Sequence, residues 1–175
     1  MGDVSNTMVR TGLEVLLSDQ PQHIQGQKIG LVTHQSAVTS DLQHAVGLLK
    51  AGRGWKLTTL FGPEHGIWGE AQDMAHVDHA TDPASGLPVH SLYGKSEDDL
   101  KPRREILKTL DALVIDLQDV GTRVYTFAWT IQPPPGTSIG PLITCPPCAS
   151  IRSRPFATNR GSEWGQIPTR IDSGI

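Results

Sequence analysis

A carboxylate and an imidazole stand side by side in the segment Gly-Pro-Glu-His-Gly at 62–66, directly after a short apolar run. Glycine at both ends permits backbone conformations closed to other residues, and Pro63 stiffens the approach to Glu64. A carboxyl group in a partly desolvated loop has a raised pKa, so it can donate a proton near neutral pH. Glu64 is therefore a candidate general acid of the kind that glycoside hydrolysis needs. The alternative is that Glu64 caps a helix or pairs with Arg123.

A second polar segment, Asp-Leu-Gln-Asp-Val-Gly-Thr-Arg-Val-Tyr at 116–125, follows another apolar run. Asp116 and Asp119 are candidates for the second carboxylate of a glycosidase, as base or nucleophile, or for orienting sugar hydroxyls. Arg123 could hold a substrate carboxylate in a bidentate pair. An Asp–Arg ion pair that closes the loop explains these residues as well without any chemistry, and Tyr125 is as suited to packing as to binding.

Other chemistry-bearing residues fit no established motif. Trp68, between glycines, could stack on a sugar face, although an interior position is commoner for such a residue. A metal-dependent hydrolase is a third alternative, but the spacing of the possible ligands matches no known metal site, and we expect no metal. Those possible ligands are Glu64, His65, Asp73, His76, Asp78 and His79. No nucleotide-binding motif occurs, the two cysteines lack the context of a redox motif, and we expect no cofactor.

The elements that must position these residues alternate between strands and helices. Short apolar runs predict strands at 28–33, 56–61, 88–94 and 112–117. Helices are predicted at 11–17 and at 102–110. A further helix is predicted to begin at a capping box formed by Ser40 and Gln43 and to end at Gly52 or Gly54. The alternation predicts the α/β class with a mainly parallel sheet. Because ligands bind beyond the carboxyl ends of such strands, we expect the polar residues at 64–65 and 116–123 to share one edge.

Composition is that of a globular protein: 175 residues, 37% hydrophobic and 19% charged. A net charge of -3 gives no reason to expect nucleic acid or an anionic membrane as a partner. No apolar run approaches the ~20 residues of a membrane helix, and the first residues do not resemble a signal peptide. As written, the chain is expected in the cytoplasm.

The character of the chain changes after Thr130. Residues 131–175 hold eight of the thirteen prolines, both cysteines, no lysine and no histidine. They show no helical or strand period and lack the apolar pattern of a core. We therefore predict a folded domain at 1–130 and a Pro-rich irregular or disordered tail at 131–175.

Three segments together resemble the N-terminal domain of the NamZ-type exo-β-N-acetylmuramidase family. They are Phe-Gly-Pro-Glu-His-Gly-Ile at 61–67, the segment at 86–94 and the segment at 116–126, with 30–35 as a fourth block. The resemblance implies a Rossmann-like domain with flanking helices. It also implies a glycoside hydrolase that releases N-acetylmuramic acid from the non-reducing end of peptidoglycan fragments. A second, C-terminal domain of the family would complete the cleft, and full-length relatives are expected in the periplasm or outside the cell.

Matched position by position, the resemblance makes Glu64 the catalytic acid. It implies a set of substrate-binding residues that contact a peptidoglycan-derived amino sugar: His34, His65, Asp116, Gln118, Asp119, Arg123 and Tyr125. His34 stands where Asn is expected in the family, and Trp68 where Arg is expected. The alternative from another functional class is a non-catalytic module that binds cell-wall sugars.

Overall fold

The structure is a computed structural model that describes residues 10–19, 22–70, 80–94, 96–118, 130 and 142–144. These residues form three helices and six strands, with short 3-10 turns at Gln22–Ile24 and Glu97–Leu100. The elements are α1 Gly12–Asp19, β1 Lys28–Thr33, α2 Ala45–Ala51, β2 Lys56–Gly62, β3 Ala80–Thr81, β4 Pro88–Ser91, α3 Arg104–Leu107, β5 Ala112–Asp116 and β6 Leu142–Thr144. Among the described helices, none combines the length and the apolarity needed to cross a bilayer.

The strands form one sheet in the order β3-β4-β2-β1-β5-β6. All neighbours are parallel except the short β3, which runs antiparallel to β4. Thr33 at the end of β1 lies opposite Asp116, and Gly62 at the end of β2 lies opposite Ser91. The predicted α/β class with a mainly parallel sheet is confirmed. The carboxyl ends of β1, β2, β4 and β5 therefore share one edge.

Both faces of the sheet are covered by apolar side chains. On one face, Ile29 and Leu31 pack in a cluster with Leu13 and Leu16 of α1 and with the buried side of α2. On the other face, a second cluster consists of Val32, Phe61, Leu92, Leu107, Leu110, Leu113, Ile115 and Leu117. Burial on both faces explains why β1 and β5 are nearly continuous apolar runs. Because both faces are buried, polar side chains of the sheet are accommodated mainly at the ends of the strands.

The capping box lies at α1 and not at the predicted site. The backbone N–H of Glu14 donates to Thr11 Oγ1 (3.2 Å), and the N–H of Thr11 donates to Glu14 Oε2 (2.7 Å). Glu14 Oε1 also accepts bonds from the backbone N–H (2.9 Å) and the hydroxyl (2.5 Å) of Ser40. The bonds from Ser40 and Thr11 lower the pKa of Glu14 to about 2. Glu14 thus joins the start of α1 to the loop that follows β1.

The predicted capping box of Ser40 and Gln43 is wrong, because Ser40 is bound to Glu14 and α2 starts only at Ala45, with His44 as its N-cap. Leu42, predicted on the buried face of this helix, is instead 80% exposed in the preceding turn at φ +60°. Ala45, Val46 and Leu49 are buried as predicted, and the helix ends at Ala51 with Gly52 as its C-cap.

One strand lies in the segment predicted to be irregular. Leu142–Thr144 pairs in parallel with β5, so the expectation that 131–175 contains no strand is wrong for these three residues. A run of three residues is too short to show a period, and the open edge of β5 supplies the partner that makes it a strand. The domain boundary at Thr130 stays a prediction.

Replacing Glu14 with Ala should lower the free energy of unfolding at pH 7 by about 1 kcal/mol, because three backbone or hydroxyl donors lose their acceptor. A carboxylate with a lowered pKa contributes stability above its unfolded pKa and loses it as the pH falls. The deficit of Glu14→Ala should therefore shrink as the pH falls from 4.5 toward 2. Urea unfolding at pH 7 and pH 2.5 measures both effects.

The matched control is Glu105→Ala, which removes an exposed carboxylate from the first turn of α3. We expect its free energy of unfolding to stay within about 0.5 kcal/mol of the unchanged chain. Equal stability of the two variants at pH 7 would contradict the role given to Glu14.

Candidate functional site

Glu64 lies in a tight turn that begins where β2 ends. The N–H of Gly66 donates to the carbonyl oxygen of Pro63 (2.9 Å), and His65 adopts φ +71°. A non-glycine residue in this left-handed region costs roughly 1 kcal/mol, so the surrounding packing must hold the turn. Gly62 lets the backbone of Ile67 come close to the end of β2, because a Cβ at position 62 would lie 3.0 Å from the backbone nitrogen of Ile67. Glu64 is half-buried on this turn, directly after a buried strand, as the sequence predicts.

His34 connects the ends of β1 and β5. It follows Thr33 directly and is buried. Its Nε2 lies 3.1 Å from the backbone nitrogen and 3.2 Å from the carbonyl oxygen of Gln118, so the ring pairs with one or the other according to its tautomer. The structure thus brings together two residues predicted for the site that are 84 positions apart.

Asp116 is the last residue of β5, and only 1% of its surface is exposed. Burial raises its pKa to about 6, although a hydrogen bond with the Gln118 side chain acts in the opposite direction. Neither Asp116 Oδ2 nor Thr33 Oγ1 has a hydrogen-bond partner among the described residues. A carboxyl group with such a pKa exchanges its proton near neutral pH, which suits acid–base chemistry.

The strands that carry Glu64 and Asp116 stand on opposite sides of β1. Neighbouring strands are about 4.8 Å apart, so the axes of β2 and β5 are separated by roughly 10 Å. Glu64, which is half-buried, and Asp116, which is buried, therefore lie near the same edge of the sheet.

A second set of contacts joins the loop after Glu64 to the start of α2. The N–H of Val46 donates to His44 Nδ1 (3.3 Å), so Nε2 of the neutral ring donates to the carbonyl oxygen of His34 (2.9 Å). Burial lowers the pKa of His44, which favours this neutral form. The ring of Trp68 packs on His44 with a centroid distance of 4.5 Å and an interplanar angle of 41°.

Asp82 holds the other end of Trp68. Its Oδ1 accepts a bond from Trp68 Nε1 (3.0 Å), and its Oδ2 accepts one from the N–H of Ser85 (2.7 Å). Burial by itself would raise the pKa of Asp82, but hydrogen bonds from Ser85, Trp68 and the backbone of Ala84 outweigh it, and the pKa is lowered. Asp82 is therefore a buried carboxylate that anchors the indole.

Sequence reasoning singled out Trp68 but missed His44 and Asp82. The run Asp-Pro-Ala-Ser-Gly at 82–86 has the composition of a turn in which an Asp side chain binds backbone N–H groups, and this signal could have marked Asp82. No local signal marks the role of His44 in supporting Trp68, because Trp68 is 24 residues away in the sequence.

Several predicted residues lie outside the described part of the chain. These are the site residues Asp119, Arg123 and Tyr125 and the four possible metal ligands Asp73, His76, Asp78 and His79. Their convergence with Glu64 stays a prediction. Within the described ranges, no group of three or more His, Cys, Asp or Glu side chains is arranged to hold a metal ion. His65 is half-buried in the turn beside Glu64.

Residues 29–133 match the family described as "Exo-beta-N-acetylmuramidase NamZ, N-terminal". A protein of Bacillus subtilis (strain 168), described as peptidoglycan beta-N-acetylmuramidase NamZ, is 45% identical over 123 residues. This match covers 70% of the chain and 29% of the Bacillus protein.

Two solved structures share the fold, both of DUF1343 family proteins from Bacteroides fragilis NCTC 9343. The first has a TM-score of 0.63 and 34% identity, and the match covers 78% of this chain and 34% of that chain. The second has a TM-score of 0.50 and 22% identity, covering 69% and 29%. The chain therefore spans about a third of the length of the relatives it matches.

The raised pKa of Asp116 predicts that the free energy of unfolding depends on pH. The folded state binds the Asp116 proton more tightly than the unfolded state, so stability falls as the pH rises from about 4 through 6. A shift from 3.8 to about 6 corresponds to roughly 3 kcal/mol. Asp116→Asn lacks this titration. Its free energy of unfolding relative to the unchanged chain should therefore rise by up to that amount between pH 4 and pH 7.

Urea unfolding at pH 4, 5, 6 and 7 measures this difference. Asp41→Asn, which removes an exposed carboxylate, is the control for the loss of one negative charge. Any effect of the new amide on Gln118 changes the free energy of unfolding of the variant by the same amount at every pH. It therefore does not alter how the difference between the two proteins changes with pH. A difference between Asp116→Asn and the unchanged chain that stays constant across this range would contradict the raised pKa.

Proposed function

Because this chain belongs to the exo-β-N-acetylmuramidase NamZ family and matches its N-terminal part, we propose that it forms the acid-bearing part of a glycoside hydrolase. The enzyme releases N-acetylmuramic acid from the non-reducing end of peptidoglycan fragments. The observation that supports this function best is the placement of Glu64 in a fixed turn at the end of β2, across β1 from the buried Asp116. Most glycoside hydrolases use two carboxyl groups that flank the glycosidic bond to be cleaved.

In this proposal, Glu64 donates its proton to the glycosidic oxygen as the bond from that oxygen to the anomeric carbon breaks. The leaving sugar takes the proton, and a water molecule adds its hydroxyl group to the anomeric carbon while its remaining proton passes to a carboxylate. Asp116 exchanges protons near neutral pH, so it can serve as the second carboxyl group. The contacts of His34 and Gln118 support Asp116 by fixing the ends of β1 and β5.

The remainder of the site belongs to the same proposal. His65, Asp119, Arg123 and Tyr125 complete the substrate pocket, and Arg123 pairs with the lactyl carboxylate of muramic acid. Because the chain spans about a third of its relatives' length, we place the other wall of the cleft in the family's C-terminal domain.

A chimera tests this function in a complete protein. Residues 29–133 of this chain would replace the matching segment of the Bacillus relative. The assay measures N-acetylmuramic acid released from the disaccharide N-acetylmuramyl-β-1,4-N-acetylglucosamine. We expect turnover, and we expect Glu64→Gln to reduce kcat by about 10²- to 10⁴-fold, because the amide N–H is far too weak an acid to transfer a proton to the leaving oxygen.

Glu70→Gln is the matched control, since Glu70 is an exposed glutamate in the same loop, and its kcat should be unchanged. Substrate binding should persist in Glu64→Gln, because the side chain keeps its size. Full activity in Glu64→Gln would exclude Glu64 as the acid. A folded chimera that binds the disaccharide but never cleaves it would favour the non-catalytic sugar-binding module.

A further inference from the structure

The two described tryptophans differ in a way that points to a binding role for one of them. Trp55 is 9% exposed, packs against Gly52 and donates its Nε1–H to the carbonyl oxygen of Leu49 (3.0 Å). Trp68 has its indole N–H satisfied as well, yet it is 37% exposed. Burial in the core therefore accounts for Trp55 but not for Trp68. The exposed part of the Trp68 ring is an apolar surface that a ligand could cover.

The exposed ring is nevertheless held in a fixed orientation. The bond to Asp82 Oδ1 fixes the edge of the indole, and the His44 ring supports it at a centroid distance of 4.5 Å. Both supports are themselves anchored, since Asp82 binds the backbone of Ser85 and His44 binds the backbone of Val46 and His34. A ring fixed before binding loses little conformational entropy when a ligand packs on it.

The position of this ring relates it to the proposed site. Trp68 is four residues beyond Glu64 in the loop after β2. Its support His44 bonds to the carbonyl oxygen of His34, the first residue after β1. The exposed indole therefore lies at the same edge of the sheet as Glu64 and Asp116, where a bound substrate would meet it.

We propose that Trp68 is a carbohydrate-binding residue on which the C–H face of an amino-sugar ring stacks. The indole N–H is already donated to Asp82, so the free surface offers apolar and π contact and no hydrogen bond. A pyranose ring matches this surface, because its axial C–H groups form an apolar face while its hydroxyl groups point outward. The identity of the sugar rests on the proposed function, whereas the stacking surface rests on Trp68, His44 and Asp82.

The first test is ¹⁹F NMR of the complete chain labelled with 5-fluorotryptophan. The chain has four tryptophans, and the signal of Trp68 is identified by its loss in Trp68→Phe. The probe is methyl β-N-acetylmuraminide, which carries no peptide, so a response reports contact with the sugar. We expect the Trp68 signal to shift saturably during the titration while the Trp55 signal stays in place.

The second test compares dissociation constants for the same probe. An aromatic stacking contact of about 0.5–1.5 kcal/mol corresponds to a roughly two- to tenfold weaker Kd in Trp68→Ala. Trp68→Phe should retain most of the affinity, because it keeps an aromatic face. The matched control is Leu42→Ala, which removes an exposed apolar side chain near His44 in sequence and should leave the Kd unchanged.

The outcomes separate this inference from the proposed function. If the probe binds the unchanged chain and Trp68→Ala equally well, the stacking role is overturned and the proposed function stands. If the probe does not bind the unchanged chain at all, the stacking role is overturned, whereas the proposed function is decided separately by turnover in the chimera. If Trp68→Ala fails to fold, Trp68→Phe and the ¹⁹F titration still decide, since a Trp68 signal that stays fixed while the probe saturates the protein overturns the stacking role.

Discussion

The pairing of β1 with both β2 and β5 is the constraint on which the rest of the structure depends. All residues of β1 except Lys28 are buried, so this strand tolerates few polar side chains along its length. The parallel direction of the three strands puts their carboxyl ends at one edge. Polar groups that the core would exclude are accordingly collected there, at the end of β1, in the turn after β2 and at the last residue of β5.

Hydrogen bonds and burial act in opposite directions on the pKa values of Glu14, Asp82 and Asp116. Glu14 and Asp82 each accept several hydrogen bonds, and the pKa of each is lowered. For Asp116, burial outweighs the hydrogen bond with the Gln118 side chain and raises the pKa to about 6. Glu14 and Asp82 therefore act as fixed anchors, whereas Asp116 can change its charge near neutral pH.

A series of contacts holds the loop after β2 at the edge of the sheet. It runs from Asp82 through Trp68 and His44 to His34. Each ring in this series has a hydrogen bond to a neighbour, and the two central rings pack on each other. The series joins the loop that bears Glu64 to the end of β1, and His34 extends it to Gln118 after β5. These bonds and the ring contact restrict the side chains that hold the loop bearing Glu64 against the end of β1.

The sequence by itself determined the strands β1, β2, β4 and β5, the α/β class and the location of Glu64 after a buried strand, because these depend on local apolar runs and on glycine and proline chemistry. The short strand β3 was not among the predicted strands. It placed the capping box wrongly, since Ser40 has the same capping propensity whether or not Glu14 is near it. It also missed the strand Leu142–Thr144, the support of Trp68 by His44, and the link between His34 and Gln118. These features join residues far apart in the chain, so only the packing of the sheet, which sets the distances between such groups, could decide them.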